Sequence, residues 1–314
     1  MSESDLRACL AEYFGARLQS DVVLAPLTTY RIGGPAALYL EPASEDDLVA
    51  LARCLRDFGE GVPVLTLGRG SNIVISDQGW PGLLIRLESK AFSFVRPGEP
   101  PTSLVTGAAS SLPVVANWAA RRGLSGVEFM IAIPGSVGGA VRMNAGAHGG
   151  ATSDHLVTVK VLDLEAAEIG ERKASELELS YRHSNLTENS VVIEAAFELV
   201  PEEPAEVKAR LDGFRKHRAE TQPPAVQNAG STFKNPPGDF AGRLVEAAGL
   251  KGFRVGGVAV SELHANFFVS DASATAQDVY DLVHEVARRV KDASGIELEP
   301  EVRFAGDFNT GSVS

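Results

Sequence analysis

Val62-Pro63-Val64-Leu65-Thr66-Leu67-Gly68-Arg69-Gly70-Ser71-Asn72-Ile73-Val74-Ile75 is an apolar run, a glycine-bearing loop and a second apolar run. Residues 62–67 and 73–75 read as strands, since short branched apolar runs bounded by turn residues suit a covered sheet. Between them, Gly68 and Gly70 leave backbone N–H groups without bulky neighbours, and such a loop can form a concavity for phosphate. Two nucleotide signatures begin in a similar way, and both fail. A GxGxxG turn requires glycine where Ile73 stands, and a helix where this sequence stays β-rich. The Walker A pattern does not occur. Upstream, Ala36–Leu40 reads as a strand, and Ser44-Glu45-Asp46-Asp47 opens a helix to about Phe58, with Ser44 as cap and the acids at the positive helix end. The unit is strand, helix, strand, with the loop at its exit.

Downstream the texture changes to short strands at 83–87, 92–95 and 103–106, then a helix over 112–122 with the Ser110/Ser111 pair as its cap. A second small-residue segment follows: Ile131-Ala132-Ile133-Pro134-Gly135-Ser136-Val137-Gly138-Gly139-Ala140, then Asn144-Ala145-Gly146-Ala147. A tight turn explains either glycine segment taken singly. Two of them, with Gly33-Gly34 and Gly146, favour a diphosphate-containing cofactor. Strands resume at 156–164, 167–172 and 191–199. Between the last two lies Ser180-Tyr181-Arg182-His183-Ser184.

Pro201-Glu202-Glu203-Pro204 marks a boundary leading into a charged helix over 205–221. Asn228-Ala229-Gly230-Ser231-Thr232-Phe233-Lys234-Asn235-Pro236 then gathers a hydroxyl, an ammonium and two amides on a bend that Gly230 permits and Pro236 closes. An ordinary turn accounts for it when it is read alone. Helices over 241–248 and 276–293 follow. The second carries Val279, Leu282, Val283, Val286 and Val290 on one stripe, the expected core face. Strands are expected near 255–260 and 266–270, and a last one over 297–304 carries Glu301.

At 314 residues the chain suggests two or three domains. Hydrophobic residues make up 44% and charged ones 22%, the balance of a globular protein. No apolar run approaches the roughly 20 residues of a membrane span, and the first residues lack a signal peptide's basic flank and apolar core. Cys9 and Cys54 have no metal-like spacing and form no disulfide framework, and the histidines are scattered, so no metal site is expected. The cytoplasm is the natural compartment. A net charge of −12 argues against broad nucleic-acid binding but does not veto a small anionic ligand. Ser231 lacks a Gly-x-Ser-x-Gly elbow, which disfavours a serine hydrolase.

Taken in order, Thr29–Gly34, Gly68–Asn72, Ile133–Gly139, Tyr181-Arg182-x-Ser184, Asn228–Pro236 and Glu299-Pro300-Glu301 resemble the UDP-N-acetylenolpyruvoylglucosamine reductase family, the UDP-N-acetylmuramate dehydrogenases. Each marker is weak, but the ordered set runs through nearly the whole chain. No tyrosine lies between Tyr181 and Ser231, so the chain resembles the shorter type without the extra tyrosine loop. The resemblance implies an α+β protein of the vanillyl-alcohol-oxidase-like FAD-binding fold. Residues 1–80 and 81–200 would be the two α+β cofactor subdomains, 201–304 a separate C-terminal α+β substrate domain, and 305–314 a tail.

It implies non-covalent FAD, NADPH as co-substrate, and reduction of an enolpyruvyl ether on a UDP-linked sugar during peptidoglycan precursor synthesis. A monomer is compatible with this reading; no nucleic acid and no membrane enters it. Cofactor contacts would come from Tyr30, Arg31 and Gly33, and from the loop Gly68, Arg69, Gly70, Ser71 and Asn72. Further contacts would come from Ile133, Pro134, Gly135, Ser136, Gly138 and Gly139, and from Asn144 and Gly146. Substrate would meet Tyr181, Lys234 and Asn235.

The reaction needs a proton on one carbon and stabilisation of charge that hydride addition pushes into the neighbouring carboxylate. Ser231 matches the proton donor. Arg182 can hold the carboxylate with paired N–H bonds. Glu301 suits that place if it is protonated, so its pKa is expected to be raised. Without the resemblance, Arg182 would read as a strand-end ion-pair residue and Glu301 as a solvated edge charge. The alternatives are another FAD oxidoreductase of the same fold, or a flavin-binding module without catalysis.

Overall fold

The structure, a computed structural model, describes residues 3–310. The chain falls into two compact units, each assembled from three separated stretches. One comprises the chain up to Ser20, Leu38–Arg69 and Gly82–His217; the other comprises Asp21–Ala37, Gly70–Pro81 and the chain from Arg218.

In the first unit, helix α1 (Glu3–Phe14) buries Leu6, Leu10 and Phe14, one face at four-residue spacing. It packs on α2 (Glu45–Phe58), which buries Leu48, Leu51, Ala52 and Leu55. Ser44 caps α2 as expected, its hydroxyl accepting from the Asp47 N–H at 3.0 Å. The two cysteines depart from the reading above: Cys9 and Cys54 form a disulfide between α1 and α2, with Cα atoms 5.8 Å apart. Their 45-residue separation says nothing of this, because the pairing is created by helix packing.

Val64–Thr66 runs parallel to the strand ending at Ile85, in register from Val64↔Leu83 to Thr66↔Ile85. The same unit holds a five-stranded antiparallel sheet in the order Glu168–Lys173, Leu156–Asp163, Ser190–Glu198, Ser103–Gly107, Val95–Pro97. The middle strand is almost wholly buried, in keeping with its run of Val, Ile and Ala. Residues 92–95, expected as strand, begin instead with a one-turn helix α3 (Ser89–Phe92), because the Glu88 carboxylate accepts from the Ala91 N–H and caps a turn.

Helix α4 (Leu112–Ala120) forms where expected, but neither serine hydroxyl caps it: Ser110 Oγ donates to the Phe94 carbonyl instead. The second glycine segment hides a short helix, α5 (Val137–Arg142), capped by Ser136 Oγ accepting from Gly139 N–H. Two adjacent glycines conceal it in the sequence, since glycine disfavours helix. It lies against Ser190–Glu198. Helix α6 (Pro204–Thr221) is tied down by Arg210, which bonds the buried Glu128, Glu202 and Ser125. Burial pushes Glu128 up, but hydrogen bonds from the Gly126 N–H and Arg210 outweigh it and hold the carboxyl below its usual range.

The second unit has its own core around Phe233 and Phe268, rings edge-on at 5.8 Å. Helix α7 (Ala241–Ala247) and the long α8 (Ala276–Ser294) pack with the antiparallel strands Arg254–Val255, Val258–Val260 and Phe268–Ser270. The stripe on α8 is buried as read. Its start is satisfied twice: Thr275 and Asp278 form a capping box, and the Asp77 carboxylate accepts from the Ala276 and Gln277 N–H groups at 2.9 and 3.1 Å. Gly295, at φ 74°, ends it.

Of the last expected strand only Arg303–Ala305 forms, parallel to Ile73–Ile75. Pro300 has no N–H to extend the ladder, which leaves Glu301 in a bridged segment before the strand. The rings of Tyr280, Phe304 and Phe308 lie 5.0–5.2 Å from one another and pin the following residues to α8. Of the expected tail, residues 311–314 lie outside the described residues. No helix among the described residues is long and apolar enough to cross a membrane.

Candidate active site

In the first unit the two glycine segments meet on one cleft of about 680 Å³, open solvent at its mouth included. Gly68, Arg69, Ser136, Gly138 and Gly139 line it. The approach is so close that a Cβ on Gly68 would stand 2.4 Å from Ser136 Oγ, and one on Gly138 would stand 3.1 Å from Ala108 Cβ. These glycines are therefore glycines for want of room. Ile133, Pro134 and Gly135 form the approach to α5, where the Gly135 carbonyl accepts from the Leu112 N–H.

Sequence reading missed Thr66, Arg86, Arg142 and Ser190, which line the same cleft. Thr66 was visible as the one polar side chain in an apolar strand. Arg142 follows Gly139 by one helical turn, a relation that appears only once α5 is recognised as a helix. Arg86 pairs with Glu41, which also accepts from the Tyr39 hydroxyl. Burial, and then that bond, push the Tyr39 phenol up to about 12.

Other expected contacts are placed by the second unit. Tyr30 is buried in its core and donates from its hydroxyl to the Phe268 carbonyl at 3.0 Å. Arg31 has φ 61° and donates to the Pro26 carbonyl. Gly33 passes Ile75 so closely that a Cβ would lie 3.2 Å from the Ile75 Cβ. Gly70, at φ 61°, would press a Cβ to 2.4 Å from the Leu27 carbonyl oxygen. Ser71 carries its carbonyl oxygen past Gly230, 4.0 Å from where a Cβ would stand. Asn72 spans towards the C-terminal segment: its Nδ2 donates to the Glu301 carbonyl at 3.1 Å, and its carbonyl accepts from Arg303 N–H.

That segment is where the nine residues 228–236 sit. Asn228 Oδ1 accepts from the Gly230 N–H, and Gly230 turns the chain at φ 76°. Ser231 is then bridged to Phe267, and Phe233 to Pro300. The Glu301 N–H donates to the Thr232 carbonyl at 2.8 Å. Ser231 and Glu301 are thus brought together by backbone pairing around Thr232, although 70 positions separate them in the sequence. Lys234 and Asn235 turn to their own unit: Lys234 Nζ lies 2.6 Å from Glu299 Oε1, and Asn235 Oδ1 accepts from the Ala241 N–H at the start of α7.

Arg182 belongs to the first unit. It sits at φ 55° in a tight turn closed by reciprocal Ser180–His183 bonds, stacks 5.0 Å from the Tyr181 ring, and donates to the Gly146 carbonyl at 3.1 Å. Asn144 is buried, its amide donating to the Ser180 carbonyl. Among the described residues no three His, Cys, Asp or Glu side chains gather as metal ligands.

Fold and cleft define a flavoprotein of the vanillyl-alcohol-oxidase-like class: residues 36–169 match the FAD binding domain family. Wild-type Phl p 4.0202, a glucose dehydrogenase, shares the fold at TM-score 0.50 and 12% identity over 64% of this chain and 44% of its own. Residues 222–305 match the UDP-N-acetylenolpyruvoylglucosamine reductase C-terminal domain. Proteins named UDP-N-acetylenolpyruvoylglucosamine reductase from a Bradyrhizobium species and from Rubrobacter xylanophilus are 41% and 44% identical. The alignments cover 96% of this chain and 96% of the first relative, and 91% of this chain and 95% of the second. The crystal structure of UDP-N-acetylenolpyruvylglucosamine reductase from Thermus caldophilus superposes at TM-score 0.78 and 34% identity, over 92% of this chain and 99% of that one. The chain belongs to the UDP-N-acetylenolpyruvoylglucosamine reductase family.

FAD fits the donor set of the cleft. Arg69, Arg86 and the backbone of Gly68 line the cleft where a diphosphate would lie, the Gly138 and Gly139 N–H groups being taken by the Ala108 carbonyl and Ser136 Oγ. Thr66 Oγ1 is buried with no hydrogen-bond partner among the described residues. A buried hydroxyl left unsatisfied costs about 1–3 kcal/mol, which a cofactor polar atom would recover. Thr66→Val, of nearly the same shape, is therefore expected to raise the melting temperature of the apoprotein by roughly 2–4 °C. It should weaken FAD binding about tenfold, the equivalent of about 1.4 kcal/mol. Differential scanning calorimetry of the apoprotein and a fluorescence titration with FAD read the two effects. Unchanged affinity would remove Thr66 from the cofactor site.

Proposed function

We propose that this protein reduces the enolpyruvyl ether of UDP-N-acetylenolpyruvoylglucosamine to the lactyl ether of UDP-N-acetylmuramate, with Ser231, Arg182 and Glu301 as its catalytic residues. The observation that carries the site assignment is the backbone pairing that holds Ser231 and Glu301 on either side of Thr232. FAD, held by the cleft that Thr66, Gly68, Arg69 and Ser136 line, would supply the two-electron redox chemistry between NADPH and the enolpyruvyl double bond.

The protein's part is electrostatic and acid–base. Arg182 presents a planar fork to the substrate carboxylate, into which charge moves as hydride adds, and stabilising that charge in a water-poor site is the largest expected contribution. Glu301 works beside the same carboxylate in its protonated form, since an ionised acid there would oppose the developing charge. Ser231 gives its hydroxyl proton to the carbon next to the carboxylate: a weak acid suffices because the centre is strongly basic and the geometry is held. Tyr181 contributes substrate contact beside Arg182. Lys234 and Asn235 are assigned to the nucleotide sugar, and Lys234 exchanges its Glu299 partner for phosphate when substrate binds.

The proposal assigns residues 1–80 and 81–200 to the cofactor and 201–304 to the substrate, a functional division that cuts across the two compact units. It includes a cytoplasmic location, which suits a UDP-linked substrate. The charge of −12 supports a protein that binds no nucleic acid. An anaerobic absorbance titration tests the function: NADPH is expected to bleach the flavin, and one equivalent of the enolpyruvyl sugar nucleotide to restore its colour. A flavin that bleaches and is not recoloured would overturn the substrate assignment.

A further inference from the structure

Helix α5 begins in the cofactor cleft and ends on the turn that carries Arg182. At its first turn Gly138 and Gly139 line the cleft, and Arg142, its last residue, lines the same cleft. The Arg142 guanidinium donates from Nη1 to the Leu186 carbonyl at 3.2 Å, and from Nη2 to the carbonyls of Thr187 at 3.1 Å and of Ser190. The Arg142 carbonyl accepts from Ser184 Oγ at 2.7 Å. Two residues on, Asn144 Nδ2 donates to the Ser180 carbonyl at 2.9 Å; two further, the Gly146 carbonyl takes the Arg182 guanidinium at 3.1 Å. Residues 142–146 therefore grip the segment 180–190 at its start, its middle and its end.

That segment needs holding. Arg182 sits at φ 55°, in the left-handed region that non-glycine residues rarely adopt. Such a conformation persists only where its surroundings over-determine it.

We propose that Arg142 is a positioning residue for the reduction: by clamping residues 184–190 it fixes the turn that aims Arg182, and through α5 it ties that turn to the cofactor cleft. The inference rests on the catalytic assignment of Arg182 made above. Guanidinium geometry suits the task, because one planar group reaches three carbonyls that converge from different directions. An ammonium keeps the charge and loses the fork, so Arg142→Lys is the informative substitution.

The test is a double-mutant cycle over Arg142→Lys and Arg182→Lys, read in the two half-reactions of the FAD-loaded enzyme. Arg142→Lys is expected to slow reoxidation by the enolpyruvyl substrate about 30-fold and reduction by NADPH less than about threefold. With Arg182 already lysine, the same change is expected to slow reoxidation less than about threefold, since no guanidinium remains to be aimed. Hydrogen exchange at the His183 amide, which donates to the Ser180 carbonyl at 3.1 Å, is expected to quicken about tenfold in Arg142→Lys without any substrate present.

Equal slowing of both half-reactions, or effects that multiply in the double variant, would reduce Arg142 to a stability residue and overturn the proposal. Failure of the catalytic assignment shows itself separately: Arg182→Lys alone would then reoxidise at the wild-type rate, while the exchange readout still reports on the clamp. Ser184→Ala, which deletes one hydroxyl bond to the Arg142 carbonyl, is expected to change reoxidation in the same direction by about threefold; no change would limit the clamp to the side chain.

Discussion

Ser231→Ala is expected to lower turnover about 10³-fold while NADPH still reduces the flavin at close to the wild-type rate. General acid catalysis by a positioned group contributes roughly 10²–10⁴-fold, and with Ser231 as the proposed donor its proton would then have to come from water. The substitution is structurally mild. The turn at Ser231 is held by main-chain features, the φ of 76° at Gly230, the bridge to Phe267 and the Asn266 carbonyl on Thr232 N–H, none of which uses the serine hydroxyl. A loss confined to reoxidation is thus chemical in origin. Rapid mixing of the NADPH-reduced variant with the enolpyruvyl sugar nucleotide, followed at the flavin absorbance, separates the steps. Reoxidation at the normal rate would hand the proton to another group.

The second large effect is at Arg182. Replacement by lysine keeps the charge but removes the fork that can meet both carboxylate oxygens, and deleting one preorganised donor to a developing oxyanion costs about 10²–10³-fold in kcat. The loss should fall on kcat more than on KM, because charge reaches the carboxylate only as hydride adds. Steady-state kinetics over a range of substrate concentration measures the split. A rise in KM with kcat intact would make Arg182 a binding residue. The turn itself should survive, since the Ser180–His183 bonds and the Asn144 bond to Ser180 do not involve the arginine side chain.

Local physics wrote some of this into the sequence. The Ser44 cap with acids in the first turn of α2 was readable, as was the Val/Leu stripe of α8, because caps and periodicity act within a turn or two. The two glycine segments announced turns with open backbone and, taken together, a diphosphate-containing cofactor. Their partner could not be read: nothing in Gly68 names Ser136 as the atom a Cβ would strike. The strand expected over 297–304 failed at Pro300, which has no N–H to give a ladder. Helix α5 was masked by its own glycines, and with it went Arg142 and its grip on residues 180–190.

By itself, then, the sequence determined which segments would be helix, strand and glycine turn over most of the chain, and through the ordered set of short markers it determined the family. Those signals live in residue type and spacing, which side-chain entropy, caps and backbone freedom read out locally. Only the tertiary structure decided what meets what. Helix packing joined Cys9 to Cys54, backbone pairing around Thr232 set Glu301 beside Ser231, and one guanidinium collected three carbonyls behind Arg182. Each of these joins residues far apart along the chain. Contacts of that kind follow from burial and hydrogen-bond satisfaction of the whole fold, and no local spacing encodes them.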